Sequence, residues 1–284
     1  MADAASLLAL AQTDVWEEIP ASAYGPALQA APFVQVEGAF NARDVGLVPG
    51  SPVRAGFAFR SGALAGVGAA GAATLARGLG VRRVFDLRSA GERARAPDPA
   101  AHLAGAHGVD LVWLPSARPD TTPDLARFAA GAGEAAYREM YLEVVDVYRA
   151  SWRAVLEHVR DRPAEPFLVH CTAGRDRTGV LAGLLLALAG APRHAVVLDY
   201  LLSRIGTEPV RPMLLQFALA GSRARSPDDP GFYNLVSLRA ECWDAFAAGV
   251  QEVYGGFEAF VARELGFSPD DIKTIKENLI KPPA

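Results

Sequence analysis

Pro166-Phe167-Leu168-Val169-His170-Cys171-Thr172-Ala173-Gly174-Arg175-Asp176-Arg177-Thr178-Gly179 runs directly into the apolar stretch 180–191. Residues 166–169 read as a short buried strand, 170–177 as a compact polar turn, and 178–188 as an apolar helix. A strand that passes through one tight turn into a helix, both of them buried, is the unit of an α/β fold. The rest of the chain extends the pattern. Upstream, 57–60, 81–87 and 109–114 read as strands, and 33–36 alternates weakly enough to add another. Residues 69–79 form a helical pattern that stops at Gly80, and 132–160 predicts one long helix, kinked or straight. The expected fold is therefore a central, mostly parallel sheet flanked by helices.

Both ends carry helices. Residues 1–32 read as an N-terminal arm laid on the core. The region 193–262 is helical and aromatic-rich, carrying Phe217, Phe232, Tyr233, Trp243 and Phe246. It reads either as ordinary helical packing or as a lid-like insertion over a pocket. The last helix is well marked: Ser268 caps it, Pro269 occupies its first position, Asp270 and Asp271 sit in its first turn, and Ile272, Ile275 and Leu279 share one face. No linker or repeat divides the chain, so 1–284 is expected to be one domain.

Composition sets limits on function. The chain has 284 residues, 51% hydrophobic and 21% charged, with a formal net charge of −4. This is a globular composition without a global basic field, so nucleic acid is not an expected partner. The longest apolar run is too short to span a bilayer and contains two glycines, and 1–14 lacks the pattern of a secretory signal. Two cysteines, Cys171 and Cys242, make neither a disulfide framework nor a four-cysteine zinc site. The expectation is a cytoplasmic protein with free thiols, without stable membrane insertion and of open oligomeric state.

The turn carries the chemistry. A phosphate ester calls for an anionic nucleophile and for donors arranged around three equatorial oxygens. A cysteine that ends a strand, followed by a loop entering a helix, supplies both. Backbone N–H groups from Thr172, Ala173, Gly174, Arg175, Asp176, Arg177 and Thr178 line a cradle at a helix N-terminus. The Arg177 guanidinium, six positions after Cys171, folds back to bind two oxygens. Helix N-termini and arginines favour a thiolate over a thiol, whose ordinary pKa is about 8.5. Gly174 suits a cradle needing positive φ or close backbone approach. The Thr178 hydroxyl is expected to hydrogen-bond Cys171, and His170 to orient the loop. No metal-ligand spacing is visible and no cofactor is expected.

At these residues the chain resembles the cysteine-based protein tyrosine phosphatases. Within them it looks like the atypical bacterial and fungal family with the loop His-Cys-x-x-Gly-Lys-Asp-Arg-Thr-Gly. Asn41-Ala42-Arg43-Asp44-Val45-Gly46, Phe59-Arg60-Ser61-Gly62 and Asp86-Leu87-Arg88-Ser89 resemble further elements of that family, in the same order. Leu47 stands where a second glycine is usual, and Arg175 where lysine is usual. The resemblance implies a phosphoric monoester hydrolase acting through a phosphocysteine on Cys171. Its substrates would be phosphotyrosine proteins, with phosphoserine, phosphothreonine or phosphoinositides as further possibilities.

The general acid has three candidates. Asp176, in the loop, ranks first, its alternative role being an ion pair with a neighbouring arginine. Asp86, at the end of a strand, ranks second, its alternative being a partner for Arg60 or Arg88. Asp120, in the polar stretch 115–123, ranks third. Arg43 and Arg60 either bind substrate anions or buttress the loop through ion pairs. Cys242 belongs to the core. Two other functions compete: a phospho-binding module of weak or no activity, and a rhodanese-like sulfurtransferase, which also uses a cysteine in a cradle loop. A nucleotide-binding P-loop is excluded, since Gly174 and Gly179 are not followed by lysine.

Overall fold

The computed structural model describes residues 4–99, 101–119 and 121–283. Its sheet contains β1 (Arg43–Asp44), β2 (Ala58–Ser61), β3 (Arg83–Asp86), β4 (Asp110–Trp113) and β5 (Phe167–His170), in the order β1-β2-β5-β3-β4. β1 pairs antiparallel with β2; the other pairings are parallel. The strand that feeds the cysteine loop thus sits in the middle, between β2 and β3. Segment 33–36 does not become a strand: Phe33 makes one isolated bridge to Arg43, and Gly38, at φ 79°, soon turns the chain away.

Strand alternation sorts the core into two layers. Phe167 and Val169 of β5, Phe85 of β3 and Ala58 of β2 face the larger hydrophobic cluster. Leu168, Val84 and Phe59 face the smaller one, with Leu75, Ala76 and Leu103. All four β5 residues are buried, as a central parallel strand covered on both faces requires.

In the N-terminal arm, α1 (Ala4–Ala11) buries Leu7 and Ala11, and α2 (Ala21–Leu28) follows. The pattern 69–79 becomes α3 (Ala69–Ala73) continued by a wider π turn, and Gly80 ends it at φ 70°. α4 (Ala90–Arg95) starts in a capping box between Ser89 and Glu92. After the short α5 (Leu125–Phe128), the expected long helix is two: α6 (Glu134–Val147) and α7 (Arg149–Asp161). The break at Tyr148 involves no glycine or proline. Its ring packs on Trp152 and its hydroxyl donates to Leu87 O at 2.9 Å, so a tertiary contact sets the break.

α8 (Asp176–Leu188) leaves the cysteine loop and is buried along almost its whole length. Next come α9 (Arg193–Leu201), α10 (Ser203–Gly206), α11 (Arg211–Ser222), α12 (Phe232–Val236), α13 (Ala240–Tyr254) and α14 (Phe257–Arg263). Trp243, Phe246 and Phe260 join the main core, so most of the aromatic residues in this region are packing residues. α15 (Pro269–Ile280) has the expected Ser268 cap, reciprocated by Asp271, and buries Ile272, Ile275 and Leu279. Cys171 and Cys242 are both free, and burial pushes the Cys242 thiol up to about 12. Among the described residues, no helix is long and apolar enough to cross a membrane.

Candidate active site

Cys171 lies at the carboxyl end of the central strand and is 2% exposed. The loop after it is held open from outside. The Thr172 carbonyl accepts from Ala63 N at 3.0 Å, and Asn41 Nδ2 donates to Ala173 O at 3.0 Å and Gly174 O at 3.1 Å. Arg60 Nη2 donates to Gly174 O at 2.7 Å. With these carbonyls drawn outward, the amides are left to the inside. Among the described residues, no protein group accepts from the backbone N–H of any residue from Thr172 to Arg177. Gly174 sits at φ 66°, and a Cβ there would lie 2.2 Å from Ser61 O, so the bend admits only glycine.

Arg177 is oriented by a residue that the sequence reading did not single out. Glu92, in the first turn of α4, takes its guanidinium with both oxygens: Nη1 to Oε2 at 2.7 Å and Nη2 to Oε1 at 2.6 Å. Arg177 Nη1 also donates to Leu87 O at 3.2 Å, and the Thr172 hydroxyl donates to Glu92. Burial pushes the Glu92 carboxyl up, but Arg177, Thr172 and the Ser89 N–H outweigh it and hold it at about 2. The Ser89-x-x-Glu92 spacing of a capping box was the available signal.

Arg175 turns away from the loop centre. Nη1 donates to Val236 O and Nη2 to Leu235 O, both at 3.0 Å, and Nη2 also reaches Tyr137 OH at 3.0 Å. Its planar fork therefore ties the loop to the end of α12. Arg175 Nε also meets Asp176 Oδ1 at 3.0 Å, which is the ion pair foreseen as the alternative role of Asp176. Asp176 nevertheless keeps a 30% exposed side chain and lines the cleft.

Other expected site residues stand behind the loop. Asp86 is buried, gripped by Arg88 Nε at 2.9 Å and Arg93 Nε at 2.9 Å, and it does not line the cleft. Its position therefore does not suit it to the second-ranked acid role; it is the partner of Arg88. Asp120 lies outside the described residues. Arg43 and Arg60 do not reach the cleft either, and they share Asp199 of α9: Arg43 Nε lies 2.8 Å from Oδ1, and Arg60 Nη1 pairs with Oδ2. Burial pushes the Asp199 carboxyl up, but the two guanidinium charges outweigh it and bring it below its ordinary value. Both arginines thus stand behind the loop in ion pairs, the arrangement of the buttressing alternative. His170 Nδ1 lies 3.3 Å from Cys171 O, while its Nε2 sits 3.7 Å from Asp98 Oδ2 without a hydrogen bond. The Thr178 hydroxyl is buried and does not make the expected bond to Cys171.

Above Cys171 opens a cleft of about 730 Å³. Thr172, Ala173, Asp176 and Arg177 form its floor, and Leu214, Leu215, Phe217 and Ala218 of α11 give it an apolar wall. Val15 of the N-terminal arm lines it too. The arm is fixed there by Arg204, which donates to the carbonyls of Thr13 at 3.2 Å, Asp14 at 3.1 Å and Glu17 at 2.5 Å. Trp16 stacks on Phe232 with ring centroids 6.3 Å apart.

Residues 34–281 match the model of the tyrosine phosphatase family. The chain belongs to this family. It is an enzyme, a protein-tyrosine phosphatase. It is 30% identical over 71% of its length to a tyrosine-protein phosphatase of Nostoc commune, covering 67% of that protein. It is 27% identical over 87% of its length to the triple specificity protein phosphatase PtpB of Mycobacterium tuberculosis, covering 98% of it. It also has a likeness of TM-score 0.38 and 16% identity to the core catalytic domain of the PP-IP phosphatase Siw14 from S. cerevisiae, covering 72% of this chain and 99% of that one.

For a tyrosine phosphatase, two departures from the usual pattern now have a local reading. Leu47, in place of a glycine, is 43% exposed, so its side chain is accommodated at the surface. Arg175, in place of lysine, uses three more donor contacts than a single Asp176 pairing would need. The residues not singled out from the sequence, Asn41, Glu92, Asp199 and Tyr141, whose hydroxyl donates to Asp176 Oδ1, make long-range contacts. Asn41 and Glu92 lay inside or beside quoted motifs; Tyr141 and Asp199 sit in helices with no local mark.

Proposed function

We propose that the chain hydrolyses phosphate monoesters in two displacements through a phosphocysteine on Cys171. The observation that carries this reading is the collar of unpartnered amides from Thr172 to Arg177 around Cys171, with Arg177 held beside it. In the first step the Cys171 sulfur attacks phosphorus, the bond to the leaving oxygen breaks, and Asp176 gives that oxygen its proton. In the second, Asp176 takes a proton from water, the water oxygen attacks phosphorus, and the S–P bond breaks to release phosphate. The amides and Arg177 stabilise the equatorial charge in both steps. Neither step calls for a metal or other cofactor.

Phosphotyrosine in proteins is the primary substrate class. The size of the cleft and its α11 wall support a second class with bulky apolar groups, phosphoinositides among them, and 193–262 then serves in part as a lid through α11. Phosphoserine and phosphothreonine fit the same floor. The free Cys171 and Cys242 fit a reducing, cytoplasmic setting. A sulfurtransferase or an inactive phospho-binding module has no comparable support, given the family. The test is a panel of phosphotyrosine, phosphoserine and phosphothreonine peptides and phosphoinositides, without added metal, combined with acid-quench trapping of labelled phosphate. Label is expected on Cys171 and turnover is expected to vanish in Cys171→Ser. Full turnover in that variant rejects the mechanism.

A further inference from the structure

Asp176 is held by a second group besides the arginine next to it. Tyr141, on α6, donates from its hydroxyl to Asp176 Oδ1 at 2.7 Å. Arg175 Nε touches the same oxygen at 3.0 Å and reaches Oδ2 at 3.2 Å. Behind Tyr141 stands Tyr200 of α9, with the two hydroxyl oxygens 2.9 Å apart. Both tyrosines are at most 1% exposed. The Tyr141 ring is wedged edge-on against Tyr137 at 5.2 Å and Phe246 at 5.5 Å, so it has little freedom to swing.

A proton count fixes the direction of this chain. A phenol has one proton. Tyr141 spends its own on Asp176, so the contact with Tyr200 is satisfied only if Tyr200 donates to the Tyr141 oxygen. The chain runs from Tyr200 to Tyr141 to Asp176 Oδ1. Burial, with the Asp176 charge next in weight, raises the Tyr141 hydroxyl well above its ordinary value, which keeps it a donor.

We infer that Tyr141 is a positioning residue for the proton transfers of Asp176, fixing Oδ1 so that Oδ2 is the oxygen presented to the cleft. This rests on the reading of Asp176 as the acid. Without the phenol, Arg175 alone holds the carboxyl, and it touches both oxygens at nearly the same distance. The oxygen that carries the proton is then no longer singled out. The first step forms S–P and breaks P–O while the proton passes from Oδ2 to the leaving oxygen. A misplaced Oδ2 therefore penalises leaving groups that need that proton and spares those that do not.

The test compares kcat/KM, which reports the first displacement, on phenyl phosphate and on dinitrophenyl phosphate. The second leaves readily as an anion, so its ratio to the first measures reliance on the acid. The expected result for Tyr141→Phe is a ratio that rises roughly tenfold, the scale of one hydrogen bond to a charged group. For Asp176→Asn it rises roughly a hundredfold or more. A ratio on one preparation is indifferent to the fraction of folded protein, so partial unfolding does not imitate the effect. If Asp176→Asn moves the ratio and Tyr141→Phe leaves it at the wild-type value, or lowers both rates alike, the positioning role is overturned and the acid assignment stands. If Asp176→Asn leaves the ratio unchanged, the acid assignment itself is wrong and the role of Tyr141 falls with it.

Discussion

Glu92 meets Arg177 fork to fork, with its two oxygens 2.6 and 2.7 Å from the two terminal nitrogens. A guanidinium held this way is set in place before substrate arrives. Glu92→Gln keeps the shape but loses the charge. A fall in kcat/KM of about tenfold to a hundredfold is expected, the scale of a displaced clamp. Steady-state kinetics on a phosphotyrosine peptide checks this.

The same pair gives a pH signature in stability. The folded-state pKa of Glu92 is depressed, from an ordinary 4.5 to about 2. Its contribution to stability is therefore full above 4.5 and disappears as pH falls toward 2. Breaking a buried pair costs about 3 kcal/mol. Wild type should exceed Glu92→Gln by about that much at neutral pH, with the gap closing as pH drops through this window. Urea unfolding at a series of pH values measures it; a gap that stays constant would remove the assignment.

Gly174→Ala places a methyl 2.2 Å from Ser61 O on a backbone at φ 66°. The contact is with main chain of β2, which cannot rotate aside. Loss of at least about 2 kcal/mol of stability is expected, from backbone strain and overlap together. Phosphatase activity should fall with it. Thermal unfolding and turnover, measured side by side, report both.

Asp199 is the carboxylate shared by Arg43 and Arg60, both at most 1% exposed. Asp199→Ala leaves two buried cations facing each other. A loss of about 3–5 kcal/mol is expected although the residue is absent from the cleft. Since Arg60 also holds Gly174 O, the surviving folded fraction should show weakened phosphate binding. Inhibition by inorganic phosphate, read as an inhibition constant, tests that second effect.

Arg175→Lys restores the residue usual at this place in the family. An ammonium does not reproduce a planar fork that reaches Leu235 O, Val236 O and Tyr137 OH together. A loss of about 1–2 kcal/mol is expected from the lost bonds, together with a change in relative activity on bulky and small substrates as α12 loosens. Calorimetry and a two-substrate comparison cover both.

Local signals carried much of the fold. The all-apolar 166–169 run, the Gly80 stop and the Ser268-Pro269 start each depend on near neighbours in sequence, and all three features are present. The break at Tyr148 was invisible because its cause, the Leu87 carbonyl, lies 61 residues away. The site divides the same way. Cys171, Gly174, Asp176 and Arg177 share one turn, so their spacing alone put them forward together as candidates. Glu92 and Tyr141 meet that turn across 80 and 35 residues, and Asp199 reaches it only through Arg60; apart from the capping box at Glu92, nothing in their own surroundings announces it. Asp86 was put forward because its strand ends near the loop; that Arg88 and Arg93 hold its carboxylate out of the cleft depends on contacts that spacing does not show.

Val15 forms part of the cleft, and Arg204 anchors the backbone around it. One wall of the cleft is thus closed by residues 13–17, tied to a helix nearly two hundred positions downstream. A protein cut to the family-matching span 34–281 would lack that panel of the cleft.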